Sequence, residues 1–298
     1  KCWSIVVADG KFMRNVILKA FGLFVLFNLL FACFDPMPAL GKLSVYNTLL
    51  PGRERFPFGE EPQKAYNLSL YSVEAMFASH EINGAEKQED EFRVIILGDS
   101  SVWGTLLTPR ETLSGQLNAM DLRTSDGRSI RFYNLGYPTM SLAKDLMFLD
   151  EAMRYQPDLI LWPLTLESFP RGKQLQSPLL ANNPGRVKHL IQAFQVSFAG
   201  KEQDIQQPAF YDKTIIGQRR HIADIIRLQL YGVMWTSTGV DQVYPQTYQP
   251  AKRDFERDES FYGLQRHTFD HEALVFDYLK AGQRIASGVP LLIVNEPI

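Results

Sequence analysis

From residue 92 onward, short apolar runs alternate with segments in which apolar residues recur at helical spacing. The apolar runs predict four strands, Val94–Leu97, Arg131–Leu135, Leu159–Leu164 and Val289–Val294. The helical periods predict helices over Glu111–Leu122, Ser141–Tyr155, Val187–Phe198 and Gln218–Tyr231, and a last helix that carries Leu274, Tyr278, Ala281 and Ile285 between a cap at Asp270 and Gly288. Strands that alternate with helices are typical of a parallel sheet covered on both faces. We therefore predict an α/β fold, a three-layer αβα sandwich.

The N-terminal segment has a different pattern. Val16–Phe34 is almost entirely apolar, and Lys11 and Arg14 lie on its amino side. This length and this charge predict a transmembrane anchor over residues 13–35, with the basic end in the cytoplasm and the rest of the chain outside it. A cleaved signal peptide and a buried core helix are the alternatives. Residues 1–12 are interpreted as an N-terminal extension.

Residues 36–91 are interpreted as a connector rather than a domain. Prolines and glycines interrupt the chain repeatedly as far as Pro62, so no long helix can run through this part. From Ala65 to Ile82 aromatic and aliphatic residues are mixed, which predicts that this part packs on the domain that follows. The α/β domain then occupies residues 92–298.

Composition narrows the class of protein. A chain of 298 residues with 45% hydrophobic content can bury a full single-domain core. With 31 basic and 33 acidic residues the formal charge is −2, and no block of basic residues points to nucleic acid. Cys2 and Cys33 lie outside the predicted domain, so that domain can hold neither a disulfide scaffold nor a cysteine metal site. No Gly-rich phosphate motif occurs, and no cofactor is predicted.

The candidate chemistry lies where the first strand ends. Val94–Leu97 leads directly into Gly98-Asp99-Ser100, which places a serine hydroxyl at the carboxyl end of a strand. Open α/β sheets bind their ligands at that edge, and a serine held on a tight turn can act as a nucleophile. Since Gly-Asp-Ser is also a common loop tripeptide, an ordinary strand-to-helix turn is the alternative.

A second motif follows the second strand in the same way, because Tyr133-Asn134-Leu135 is succeeded by Gly136. The two motifs, in this order and each at a strand end, resemble those of the SGNH/GDSL hydrolases over about residues 92–298. The resemblance implies a flavodoxin-like parallel sheet with Ser100 as the nucleophile and Asp99 shaping the turn. It also implies that the N–H groups of Ser100 and Gly136 hold the developing oxyanion.

The third motif of that family departs from the pattern here. The resemblance implies an asparagine after the third strand whose amide also contacts the oxyanion. This chain has Glu167 at that position. An ionised carboxylate cannot donate a hydrogen bond, so Glu167 would have to be protonated or placed differently. A helix-start or surface residue is the alternative interpretation of Glu167.

A serine nucleophile also needs a base, which the family supplies as a histidine in Asp-x-x-His after the last strand. None of the five histidines here has an aspartate three residues earlier. We therefore expect the catalytic Asp and His in sequence beyond residue 298, with the domain incomplete at its C-terminus. His271 is the alternative base within the chain. His267 and His271, four residues apart, could share a helix face, but they lack a third ligand, and no metal site is predicted.

Three functions are consistent with the sequence. Together with the anchor, the resemblance implies a serine esterase or O-acyltransferase acting on acylated glycans or lipids outside the membrane. The second is a catalytically silent accessory subunit that holds a glycan or partners a membrane acyltransferase, which Glu167 favours. The third is a ligand-binding domain whose first turn grips an anion through backbone amides. Fold alone cannot separate them.

Overall fold

The structure is a computed structural model, and it describes residues 10–41, 43, 45–50, 73–78, 80–84, 86–104, 107, 109–198, 200, 202, 205, 209–239, 260–261, 264–265 and 271–296. The predicted cap Asp270 and much of the connector lie outside these residues.

Helix α1 covers Gly10–Phe34, and it is long and apolar enough to cross a bilayer. An 18-residue window of this helix has a mean hydropathy of 2.3, and only 11% of that window is buried inside the molecule. In the described part of the connector, the chain forms only short helices. These are α2 (Met37–Gly41), α3 (Val45–Leu49), α4 (Val73–Ala78) and a 3-10 turn over Glu81–Gly84.

The predicted alternation of strands and helices is confirmed in the next part of the chain. It forms β1 (Glu91–Gly98), α5 (Ser100–Trp103), α6 (Leu113–Ala119), β2 (Ser129–Gly136), α7 (Leu142–Ala152) and β3 (Leu159–Leu164). Side-chain oxygens cap all three of these helices: Asp99 accepts from the N–H of Ser101, Thr112 from that of Gly115 and Ser141 from that of Lys144. Short 3-10 turns cover Pro109–Glu111, Met153–Tyr155, Leu166–Ser168 and Arg171–Gln176.

The remaining described elements include some that the sequence pattern did not predict and others whose bounds differ from the predicted ones. They are α8 (Pro178–Ala181), α9 (Pro184–Phe194), a 3-10 turn at Phe210–Lys213, α10 (Arg219–Thr238), β4 (Ser260–Phe261), β5 (Leu264–Gln265), a 3-10 turn at His271–Ala273, α11 (Asp277–Ala286) and β6 (Leu291–Asn295). Helix α10 runs to Thr238, beyond its predicted end at Tyr231. Its extension follows from a second apolar stretch, Gly232–Trp235, which continues the helical period.

Four strands form one sheet in the order β2-β1-β3-β6, and all of its pairs are parallel. Strands β1 and β2 pair without a slip from Glu91↔Ser129 to Gly98↔Gly136. The two glycines that end these strands therefore lie side by side at the carboxyl edge of the sheet.

Both faces of the sheet are covered around β1. On one face Ile95 and Leu97 belong to the main core with residues of α7, α9 and α11. On the other face Val94 and Ile96 pack with Val102 of α5 and Leu117 of α6. Alternate residues of β1 point to opposite faces and both sets are buried, which explains its continuous apolar run. The three-layer arrangement is thus visible around β1.

Candidate active site

The turn after β1 is closed by its own aspartate. Asp99 is buried, and its Oδ1 accepts the N–H of Ser101 at 2.9 Å, so it caps the short helix α5. The helix ends at Gly104, which has a positive φ of 81°. Ser100 is half-buried and Ser101 is exposed, and both residues lie in the first turn of α5.

Two glycines let helix α5 lie directly against the strand ends. A Cβ on Gly98 would stand 2.4 Å from Cγ2 of Val102, and a Cβ on Gly136 would stand 2.3 Å from the backbone nitrogen of Trp103. Both distances are far below van der Waals contact. The sequence therefore needs glycine at both strand ends because the helix that carries Ser100 occupies the space of a side chain.

Gly136 is joined to this helix through Asn134. The side-chain amide of Asn134 donates to the carbonyl of Val102 at 2.7 Å, and its Oδ1 accepts the N–H of Gly136 at 2.9 Å. The N–H that we predicted as an oxyanion donor thus already has a buried acceptor. That role for Gly136 stays a prediction, and it requires the Asn134 amide to release the N–H when a substrate carbonyl arrives.

A carboxylate from the last strand reaches the same turn. Glu296 follows β6 directly, and its N–H donates to the carbonyl of Leu164 at 2.8 Å. The hydroxyl of Ser101 lies 3.1 Å from Oε1 and 3.0 Å from Oε2 of Glu296. Burial raises the pKa of Glu296, the hydroxyl of Ser101 works against that shift, and the nearby Asp99 adds to it. Sequence reasoning did not single out Glu296 or Ser101.

Below the turn lies a buried ion pair, Lys144 with Asp145, at the start of α7. The Nζ of Lys144 lies 2.7 Å from the carbonyl oxygen of Gly98, 3.2 Å from that of Tyr137 and 2.5 Å from Oδ1 of Asp145. The indole N–H of Trp162 donates to the other carboxylate oxygen at 3.0 Å. Burial raises the pKa of Asp145, which Lys144 and Trp162 oppose. One cation therefore ties the ends of β1 and β2 together.

Glu167 lies on the 3-10 turn that follows β3, and it is half-buried. Within the described part of the chain, no hydrogen bond or ion pair joins it to another residue. Its position after the third strand agrees with the predicted alignment. Its place at the oxyanion site stays a prediction.

The histidines are spread over several elements. His80 is buried in the core beside Phe77, and burial lowers its pKa to about 4. His189 is on α9, where its Nε2 lies 3.5 Å from Asp150. His271 begins a 3-10 turn, and His267 lies outside the described residues. Among the described residues no group of three or more possible metal ligands occurs.

His221, on α10, has a carboxylate near it on its own helix. Asp224, one turn further along α10, opposes the lowering of the pKa of His221 that burial causes. Burial raises the pKa of Asp224, and Asp224 in turn helps to raise the pKa of the Tyr137 hydroxyl. The pair was missed because its order is His-x-x-Asp, the reverse of the motif we sought.

The arrangement provides two serine hydroxyls, a carboxylate in contact with one of them, and a fixed buried cation behind the backbone of the turn. Hydroxyls with a nearby base can attack a carbonyl carbon. Comparisons of the chain with family models, with curated proteins and with solved structures found no match.

Proposed function

We propose that this chain is an SGNH-type serine ester hydrolase or O-acyltransferase that acts on acyl esters, such as O-acetyl groups, of glycans or lipids outside the cytoplasm. The observation that supports this most is the strand-end turn, where Ser100 begins a helix held against Gly136 at the carboxyl edge of a parallel sheet. Ligand sites of open α/β sheets lie at this edge.

In the proposed reaction the Oγ of Ser100 attacks the acyl carbonyl, and its proton passes to a base. The carbon–oxygen bond to the alcohol then breaks, the base returns the proton to the departing alcohol oxygen, and the acyl group stays on the serine. Water completes hydrolysis, whereas a glycan hydroxyl completes transfer. Asp99 holds the turn, and the N–H groups of Ser100 and Gly136 receive the oxyanion.

The proton of Ser100 needs a base at the same edge of the sheet. The family resemblance places a histidine after the last strand. In this chain Glu296 follows that strand, and its carboxylate contacts Ser101 rather than a histidine. Ser100 is therefore the proposed nucleophile. The hydroxyl of Ser101, which contacts Glu296, is the alternative nucleophile.

A fluorophosphonate probe and p-nitrophenyl acetate test this assignment on the complete protein, together with any sequence beyond residue 298. We expect the wild type and Ser101→Ala to be labelled and Ser100→Ala to be unlabelled and inactive. Retained labelling in Ser100→Ala together with its loss in Ser101→Ala would transfer the role to Ser101 and Glu296. A wild type that is neither labelled nor active would refute the proposed ester hydrolase or acyltransferase activity.

A silent accessory subunit is the second candidate. One observation favours it, because the N–H of Gly136 is already bonded to Asn134. The sequence resemblance, which puts Glu167 where the family has an amide donor, agrees with it. Such a subunit would bind an acylated glycan or partner a membrane acyltransferase without turning a substrate over. Glycan binding by calorimetry, unchanged in Ser100→Ala and without release of acetate, would distinguish it from the enzyme.

We further propose that α1 anchors the protein in a membrane with the α/β domain outside the cytoplasm. The support is the length and hydropathy of α1 and the basic residues at its amino end. Protease added to intact cells should cleave the α/β domain of the full chain. Protection of the domain until the membrane is opened would reverse the orientation.

A further inference from the structure

Helix α10 presents an apolar surface that the rest of the described molecule does not cover. Ile226, Leu230, Val233 and Met234, which we call the exposed stripe, occur at spacings of four, three and one. This spacing places them on one helical face. Their exposed fractions are 53%, 58%, 47% and 58%. Four large apolar side chains on one solvent-facing side of a helix mark an interaction surface.

The position of this surface is fixed by contacts with the N-terminal part of the chain. The side-chain oxygen of Gln229 accepts the N–H of Val45 at 2.7 Å, and its amide donates to the carbonyl of Leu43 at 3.2 Å. Helix α10 is thus bonded to the residues that follow α1. The exposed stripe lies on the same helix as these bonds, close to where α1 ends.

A further bond fixes the depth of the segment before α10. The N–H of Ile216 donates to Oδ1 of Asn28 at 3.2 Å, and Asn28 is one of the few buried residues of α1. Asn28 stands six residues before the end of α1 at Phe34, which is about 9 Å along the axis at about 1.5 Å per residue. If α1 spans a bilayer, Ile216 therefore lies within the outer part of that bilayer.

The side chains near Ile216 suit that depth. Phe210 and Tyr211, on the 3-10 turn that contacts α1, are both more than half exposed. Aromatic side chains are favoured at the interface between lipid and water. Arg219 and Arg220 follow at the start of α10, and both are exposed. Their charges match the anionic headgroups of a membrane surface.

We propose that residues 210–234 are a second membrane contact, in which α10 lies against the outer leaflet with the exposed stripe among the lipids. This rests on the proposed anchoring by α1. A helix with an apolar face and basic residues at one end binds such an interface. The consequence for the proposed function is that the α/β domain is held at the bilayer surface, within reach of membrane-bound acyl esters.

Site-specific fluorophores test this in the full chain, reconstituted in vesicles of phosphatidylcholine and phosphatidylglycerol. In a Cys2→Ser, Cys33→Ser background, an environment-sensitive dye is attached at Met234→Cys. The matched control is Ser125→Cys, at an exposed position in the loop before β2. A third variant, Phe21→Cys, reports on α1, where residue 21 is exposed.

We expect the dye at residue 234 to shift to shorter wavelength, to be quenched by doxyl lipids and to be protected from iodide. The dye at residue 125 should keep its emission wavelength, should not be quenched by doxyl lipids and should be quenched by iodide. If the dye at residue 234 behaves like the one at residue 125 while the dye at residue 21 is quenched by doxyl lipids, the second membrane contact is wrong. The proposed anchoring by α1 is then retained. If residue 21 is also accessible to iodide, the anchor and the inference both fall.

A second copy of the chain is the competing occupant of the exposed stripe. Nanodiscs that hold one copy each separate the two cases. Lipid quenching at residue 234 that persists in single-copy discs supports the membrane contact, and its disappearance there overturns it. Leu230→Asp, which places a carboxylate in the exposed stripe, should abolish the quenching at residue 234 while residue 21 stays quenched.

Discussion

The Nζ of Lys144 lies 2.7 Å from the carbonyl oxygen of Gly98, with no part of the lysine side chain exposed. A buried ammonium is stable only where its hydrogen bonds are satisfied, and Lys144 finds three oxygens, on Gly98, Tyr137 and Asp145. It therefore holds the strand end that precedes Ser100.

Lys144→Met should lower the free energy of unfolding by about 3 to 5 kcal/mol, because it leaves the Asp145 carboxyl buried without its cation. Urea denaturation measures this. Lys280→Met, at an exposed position of α11, is the control and should change stability little. The double variant Lys144→Met/Asp145→Asn should recover part of the loss, since Asn can still accept from Trp162. A single variant as stable as the control would contradict the role of the pair.

Gly136→Ala should lower stability by about 1 to 3 kcal/mol, the usual range for forcing an extra methyl into a packed site. The added Cβ meets the backbone of Trp103, which can yield only if the helix that carries Ser100 moves. Gly172→Ala is the control, because no atom lies within 4 Å of its added Cβ. In Gly136→Ala we also expect weaker fluorophosphonate labelling. Full labelling at wild-type stability would show that the close packing is not required.

Glu296 predicts a pH dependence of stability. Its pKa in the folded protein is raised above the ordinary value of 4.5, so the folded state holds this proton more tightly than the unfolded state. Its contribution to the free energy of unfolding is therefore complete at low pH, and it decreases as the pH rises through 4.5 toward the raised value. Glu296→Gln should remove that decrease. If the free energy of unfolding of the variant and of the wild type changes in parallel from pH 4 upward, the pKa of Glu296 is not raised in the folded protein.

His80 predicts the opposite slope. Its pKa falls from 6.5 to about 4 in the folded protein, so the unfolded chain takes up a proton first as the pH is lowered. As the pH is lowered from 6.5 to about 4, this group should decrease the free energy of unfolding by up to about 1.4 kcal/mol per pH unit. His80→Leu should flatten the curve in that window, and His189→Gln, at an exposed site, should not. Equal slopes in wild type and His80→Leu would exclude the contribution of His80.

The sheet could be predicted from sequence because its signal is local. Val94–Leu97 and Leu159–Leu164 are apolar without interruption, which indicates strands buried on both faces, and β3 has the predicted bounds. The turn at Asp99 was predictable for the same reason. A small polar residue after a buried strand and before a helix is a capping position.

The buried cation could not be predicted, since a single lysine in a helix is usually solvated. The periodic pattern over Ser141–Tyr155 gave α7 one apolar stripe, yet nearly all of Leu142–Ala152 is buried. Lys144 is enclosed because α7 packs against both β1 and α11, which only the tertiary arrangement determines. The contact between Ser101 and Glu296 was equally hidden, since it joins residues 195 positions apart.

The pairing of Gly98 with Gly136 also has a kinetic consequence. The turn that carries Ser100 can adopt its final shape only after β1 and β2 have met in register, because Gly136 provides the space into which the helix settles. A segment of 37 residues separates the two glycines, so this meeting is a non-local step with a loop-closure penalty. The turn that carries Ser100 is thus expected to form late in folding, and a nascent or partly unfolded chain would hold this serine without the packed helix around it.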